Sequence, residues 1–220
     1  MAITNAKLVE QYQEVHKSKK YGKSSEKFYI LIREIIREKK KNIILDFGGG
    51  QSNLVYMLAD YYNVRGEKYE PSIKEFSELN IKKADLILNT DVLEHIPEHM
   101  LNDVLEKIKN ISTNVYFSIH TGLATVILPN GENAHCTVHQ PDWWKKKLKE
   151  YFDVVYELYS PRLESCIFVT WEPQKFSLIR YNLCLFRINP TFTKKIVKKY
   201  ASFLYPLLRS LYRLVFKRRC

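Results

Sequence analysis

Apolar positions along this chain keep two alternating periods. Behind Ser24 and Ser25, which are candidate N-caps, Phe28, Leu31, Ile32, Ile35 and Ile36 recur at helical spacing, and the helix ends in the basic run from Arg37 to Lys41. Ile43 to Phe47 is a short apolar run of the buried-strand kind. "NLVYMLADYY" then predicts a helix, "VRGEKYE" a polar strand, "SIKEFSEL" a short helix or turn, and "ADLILNT" a strand. In "PEHMLNDVLEKIKNI", Pro97 lies near a helix start, and Met100, Leu101, Val104, Leu105 and Ile108 share one face. "NVYFSIH" is the next strand, followed by a long loop from Thr121 to Gln140 and the helix "PDWWKKKLKEYF". "DVVYELYSPRLESCIFVTWEP" supplies two alternating strands about a Pro-containing turn, which predicts a terminal antiparallel hairpin. Repeated strand-helix order predicts an α/β fold, a parallel sheet covered on both faces.

Against that pattern, "IILDFGGGQSN" stands out. Three of the seven glycines follow one another after an apolar run that ends in an acid. Such a cluster marks a sharp turn or a close approach, at the carboxyl end of a strand where open α/β sheets bind ligands. A phosphate loop needs Lys followed by Ser or Thr after its last glycine, and none follows Gly50. The dinucleotide fingerprint needs a glycine at the sixth position counted from the first, and counted from Gly48 that position holds Asn53. What remains is D-x-G-x-G, formed by Asp46, Gly48 and Gly50 with Gly49 between them.

Composition adds limits. With 220 residues, 45% hydrophobic and 27% charged, the chain has room for one sizeable domain and an appendage. No apolar signal segment opens it and no charge-free apolar run is long enough to span a bilayer, so a cytoplasmic protein is expected. Four scattered cysteines without a C-x-x-C pair fit reduced thiols. The net charge of +11 belongs to the end of the chain: Pro173 to Cys220 holds twelve Lys or Arg and no acid, leaving 23 basic against 24 acidic residues elsewhere. A near-neutral main domain argues against nucleic acid as a partner.

On the glycine loop and the motifs that follow it, the chain resembles the class I S-adenosylmethionine-dependent methyltransferases over roughly Tyr12 to Pro173. "KYEPSI" places Glu70 twenty-four residues after Asp46, and "ADLILNTDVLEHIPE" carries the D-V-L-E-H-I string of the family's fourth motif. The resemblance implies a Rossmann-like class I methyltransferase fold with a mostly parallel seven-stranded sheet and an antiparallel end. It implies S-adenosylmethionine as cofactor, with Gly48, Gly49 and Gly50 under its methionine and ribose parts, Asp46 at its amino end, Asp91 near the methyl-transfer centre, and Glu70 on the ribose diol. Only fourteen residues separate Glu70 from Asp85, so the third strand is abbreviated or missing and the adenine contact has no assigned residue. "VILPNGENAHCTVHQPDWWKKKL" and "YQEVHKSKKYGKSS" are similar to small methyltransferases of phage genomes and bacterial surface-polysaccharide clusters, which implies O-methylation of a sugar or small substituent of a surface glycan or its precursor. A nucleic-acid methyltransferase and a non-catalytic scaffold on the same fold are the rival readings.

Methyl transfer to a hydroxyl needs alignment and a proton acceptor. His95 and His135 are the candidate bases beside Asp91, while Asn133, His139, Trp143 and Trp144 are candidates for shaping the acceptor pocket. Each has a plainer alternative: His95 as support for the next helix, the tryptophans as core anchors, His135 and His139 as loop hydrogen-bonders. His135 and His139 could also be metal ligands if joined by His95, His99 or Asp91, but no metal is expected. Tyr12, His16 and Tyr21 belong either to a lid over the cofactor or to a helix packed on the sheet.

The division expected is a catalytic domain over residues 1–174 and a basic tail over 175–220. From Lys194 to Arg219, Ile196, Tyr200, Phe203, Leu204, Leu207, Leu211, Leu214 and Val215 share one helical face opposite a basic one. That pattern fits an anionic membrane surface, and equally a helix packed on the domain or on a second subunit.

Overall fold

The structure, a computed structural model, describes residues 6–17 and 22–188. The amphipathic stretch from Lys194 to Arg219, and Tyr21, lie outside the described residues. Six strands form one sheet: β1 (Ile43–Phe47), β2 (Arg65–Tyr69), β3 (Leu86–Thr90), β4 (Val115–His120), β5 (Tyr156–Leu158) and β6 (Ser165–Val169). Their order is β2-β1-β3-β4-β6-β5. The first four run parallel; β6 runs antiparallel between β4 and β5, which is the expected terminal hairpin.

The helices are α1 (Ala6–His16), α2 (Tyr29–Ile36), α3 (Leu54–Tyr62), α4 (Leu101–Ile111), α5 (Pro141–Lys149) and α6 (Lys175–Ile188). Side chains of a strand alternate between faces, and the core divides accordingly. Leu45, Ile87, Phe117 and Phe168 meet α4 and α5 through Leu105, Ile108, Trp144 and Leu148. On the other face Ile44, Leu88, Tyr116 and Ile167 meet α2, α3 and α6. Each central strand is buried from both sides, hence its continuous apolar sequence.

Among the described residues six strands stand where seven were expected. Between β2 and β3 the chain makes only a 3-10 turn, Lys74–Phe76, so the further strand expected there is absent and β2 forms the edge among the described residues. Fourteen residues cannot supply a helix and a further strand with their connections. At the other end α6, beyond the boundary expected at residue 174, packs on α2 with Tyr181, Cys184 and Leu185 buried in the core. No helix of the described residues is long and apolar enough to cross a membrane.

Candidate functional site

A cavity of about 580 Å³ opens over the carboxyl ends of the parallel strands. Its size suits a small organic ligand. The glycine loop after β1 forms one wall. Gly48 has a left-handed φ of 83°, and a Cβ there would stand 2.6 Å from Val92 Cγ2. A Cβ on Gly49 would stand 2.7 Å from the Asp46 carboxyl. Both glycines are required by contact, and neither position has room for a side chain. Ser52 is buried; its hydroxyl accepts the Leu54 N–H at 3.1 Å and the Ser25 hydroxyl at 2.8 Å, fixing the start of α3.

Glu70, just beyond β2, lies across from the loop. Its Oε2 accepts the Gly50 N–H at 3.1 Å, and its Oε1 accepts the Ser72 N–H at 3.1 Å and the Ser72 hydroxyl at 2.6 Å. A carboxylate has about four acceptor positions, so Glu70 is oriented by three donors and keeps capacity for a ligand hydroxyl. The Ser72 hydroxyl is in turn 2.7 Å from His16 Nδ1, which ties Glu70 to α1. Burial lowers the His16 pKa, and the Glu70 charge opposes that shift.

Asp46 is placed differently from the other loop residues. It lies beneath Gly49, fully buried, and does not line the cavity. Neither of its carboxylate oxygens has a hydrogen-bond partner among the described residues, and burial pushes its pKa up to about 7 against the attraction of Lys68. Lys68 itself is buried, donating to the carbonyls of Gly50 (3.4 Å) and Ser52 under the loop.

The far end of the cavity is built from the D-V-L-E-H-I segment after β3 and from the loop after β4. Asp91 has a φ of 57° and is gripped by Arg162, with Ser24 donating to it at 2.9 Å. Burial alone would raise the Asp91 pKa; the Arg162 guanidinium outweighs it and holds the carboxyl below the usual range. His95 and His135 meet edge to face with ring centroids 4.7 Å apart, and His120 lies 4.9 Å from His135. His95 Nδ1 is 2.9 Å from the Ala134 carbonyl and 2.8 Å from the Tyr12 hydroxyl, and His135 Nδ1 is 2.7 Å from the Gly122 carbonyl. A carbonyl only accepts, so both imidazoles carry their proton on Nδ1 and leave Nε2 as the basic nitrogen. Burial, followed by the neighbouring His135, lowers the His95 pKa to about 4; burial also lowers that of His135.

Of the residues singled out in the sequence, Gly48, Gly49, Gly50, Glu70, Asp91, His95 and His135 line this cavity, as do Tyr12 and His16 of α1. Asn133, His139, Trp143 and Trp144 do not. Asn133 pins its own loop through the Ala124 N–H and carbonyl, His139 stacks on Trp143 at 3.8 Å and meets Glu98 at 2.9 Å, and Trp144 is fully buried in the core. Helical periodicity alone could have assigned Trp144, which is four residues before Leu148 on the face of α5 that meets the sheet. Glu94 and Arg162 escaped the sequence reading. Glu94 is fully buried, and burial with the nearby Asp91 charge raises its pKa well above the usual value. Arg162 comes from the Pro-containing turn of the hairpin, and only the antiparallel placement of β6 beside β4 brings it to Asp91.

No protein-family model and no curated protein matches the chain. Solved structures are similar to it in fold. One is 1,6-didemethyltoxoflavin-N1-methyltransferase of Burkholderia thailandensis, seen with 1,6-didemethyltoxoflavin and S-adenosylhomocysteine, at a TM-score of 0.53 and 10% identity over 78% of this chain and 92% of that one. Human N-acetylserotonin methyltransferase, in complex with S-adenosylmethionine, follows at 0.48 and 12%, with 76% of this chain matched and 55% of the human one spanned. A protein of Pyrococcus horikoshii gives 0.49 and 14% over 68% of this chain and 90% of its own. The likeness lies in the α/β sheet and its terminal antiparallel pair.

Proposed function

We propose that the chain is an S-adenosylmethionine-dependent methyltransferase that acts on a hydroxyl, in a sugar or small substituent of a bacterial surface glycan or its precursor. The observation that carries the reading is Glu70. Its carboxylate, held by Gly50 and Ser72 on the rim of a closely packed glycine loop, faces a cavity whose opposite end is a pair of neutral histidines. Two adjacent acceptor oxygens suit a ribose diol, and the absence of room for Cβ atoms at Gly48 and Gly49 keeps the backbone low enough for a ligand to lie on it.

The bound cofactor supplies a methyl group already activated on a sulfonium. The chain supplies position and proton handling. Glu70 and the loop hold the ribose side; His95 and His135 receive the proton of an acceptor hydroxyl at the other end. Asp91 works through Arg162 as a positioning residue for the segment that carries His95. The hydroxyl acceptor is favoured over nucleic acid because the described domain has no excess of basic charge, and the glycan assignment rests on the sequence resemblance. The tail reading remains a membrane proposal, tested by sedimenting the full chain with anionic vesicles before and after deletion of residues 190–220.

Calorimetric titration of the purified chain with S-adenosylmethionine tests the cofactor site, with Glu70→Ala as the matched variant. Saturable binding lost in Glu70→Ala is the expected result. Absence of binding by the wild-type chain would favour a scaffold that has kept the fold.

A further inference from the structure

We infer that Glu94, His95 and His135 form a binding site for a divalent metal ion of the zinc and cobalt class, at the acceptor end of the cavity. One donor atom from each of the three lies within 4.8 Å of the others. An ion at about 2.1 Å from each donor needs separations of roughly 3–4 Å, and the separations here fall under 4.8 Å.

Three features of the chain point the same way. First, Glu94 is fully buried; its Oε1 accepts the His120 N–H at 2.9 Å, whereas its Oε2 has no partner among the described residues. A buried carboxylate oxygen left without a donor is costly unless something else meets it. Second, the carbonyls of Ala134 and Gly122 hold His95 and His135 by Nδ1, leaving both Nε2 lone pairs available. Metal-binding histidines are oriented in this way, with the second nitrogen donating to a carbonyl. Third, the neighbouring groups are committed elsewhere. His120 Nδ1 lies against Gly122, 3.1 Å from its nitrogen and 3.3 Å from its carbonyl oxygen, and Asp91 is engaged by Arg162. The donor set is therefore two imidazoles and one carboxylate with open positions toward the cavity. Imidazole nitrogen favours zinc, cobalt and related ions over magnesium.

This site deepens the methyltransferase reading, on which its role rests. An acceptor hydroxyl in an open coordination position would be held at the end of the cavity and made more acidic, so that its proton passes to solvent as the methyl group arrives and S-adenosylhomocysteine leaves; His95 and His135 would take that proton themselves only when the ion is absent. Binding of the ion itself is independent of that reading.

The test uses the full chain, stripped with a chelator and titrated with Co²⁺ without any cofactor, following visible absorption and metal content. One equivalent should bind with the absorption of a nitrogen-ligated ion. Glu94→Gln and His135→Gln should each weaken binding by more than about 100-fold, beyond the loss of an outer-shell partner, while His99→Ala, on an exposed turn, should not. The His135 position lies on a loop, so that variant keeps the test open if the Glu94 variant fails to fold. No saturable binding, binding indifferent to both substitutions, or a preference for Mg²⁺ would overturn the assignment. Binding of S-adenosylmethionine in the presence of chelator is measured separately, so either site can fail alone.

Discussion

Arg162 reaches from the hairpin turn to Asp91, seventy-one positions earlier, and donates both terminal nitrogens to its carboxylate at 2.9 and 2.5 Å. The pair fastens the last two strands to the D-V-L-E-H-I segment that carries Glu94 and His95. It is mostly buried, with side-chain exposures of 24% and 18%. Removing one partner strands the other charge.

Arg162→Met should therefore destabilise the fold by roughly 2–3 kcal/mol, read from urea unfolding, and adding Asp91→Asn should restore a large part of the loss. Additive losses in the double variant would show that the two residues act separately.

Gly49→Ala places a methyl group 2.7 Å from the fully buried Asp46 carboxyl, so one of the two must shift. The expected cost is about 1–3 kcal/mol of stability together with a weaker affinity for S-adenosylmethionine. Thermal melts and calorimetry on the same preparation would read both.

Asp46 gives a pH dependence of unusual sign. Its folded pKa of about 7 lies above the ordinary 3.8, so between those values the folded chain holds a proton that the unfolded chain has released. Stability from this group is present below pH 4 and is lost as pH rises toward 7, by on the order of 4 kcal/mol. His95, lowered to about 4, runs oppositely: below 6.5 the unfolded chain binds the extra proton, and stability falls with acid. Comparing wild type with Asp46→Asn across this range isolates the first contribution. Parallel stability curves for the two proteins would show that Asp46 titrates normally in the fold.

Tyr12→Phe removes a hydroxyl that donates to the Ala134 carbonyl and lies 2.8 Å from His95 Nδ1. No residue of α1 is buried, so polar contacts of this kind carry much of its attachment. Hydrogen exchange of α1 amides should accelerate by about tenfold while global stability changes by about 1 kcal/mol or less. Unchanged exchange would mean that other contacts hold the helix.

The sheet was legible because its signals are local. Apolar runs bounded by turns gave the strands, and the short distance from Glu70 to Asp85 exposed the missing third one. The glycine-loop end of the cavity was legible for the same reason, since Gly48, Gly49, Gly50 and Glu70 sit directly after strands. The acceptor end was less so. Its character depends on Glu94 being sealed inside and on Arg162 arriving from a distant turn, and both follow from tertiary packing. Histidine identity showed that His95 and His135 could act, but their tautomers depend on the carbonyls of Ala134 and Gly122. Trp143 and Trp144 suggested an aromatic pocket; Trp144 instead fills the space between α5 and the sheet.

The absent third strand also bears on how the chain avoids its own copies. Among the described residues β2 pairs only with β1, so its outer row of peptide groups could template the addition of a foreign strand. Arg65 and Glu67, joined at 2.5 Å, put opposite charges on that border, and any incoming apolar strand would have to bury them. At the opposite border β5 extends for only three residues, too short a rail for lasting register. Charge on one side and brevity on the other give the open sheet a built-in resistance to aggregation.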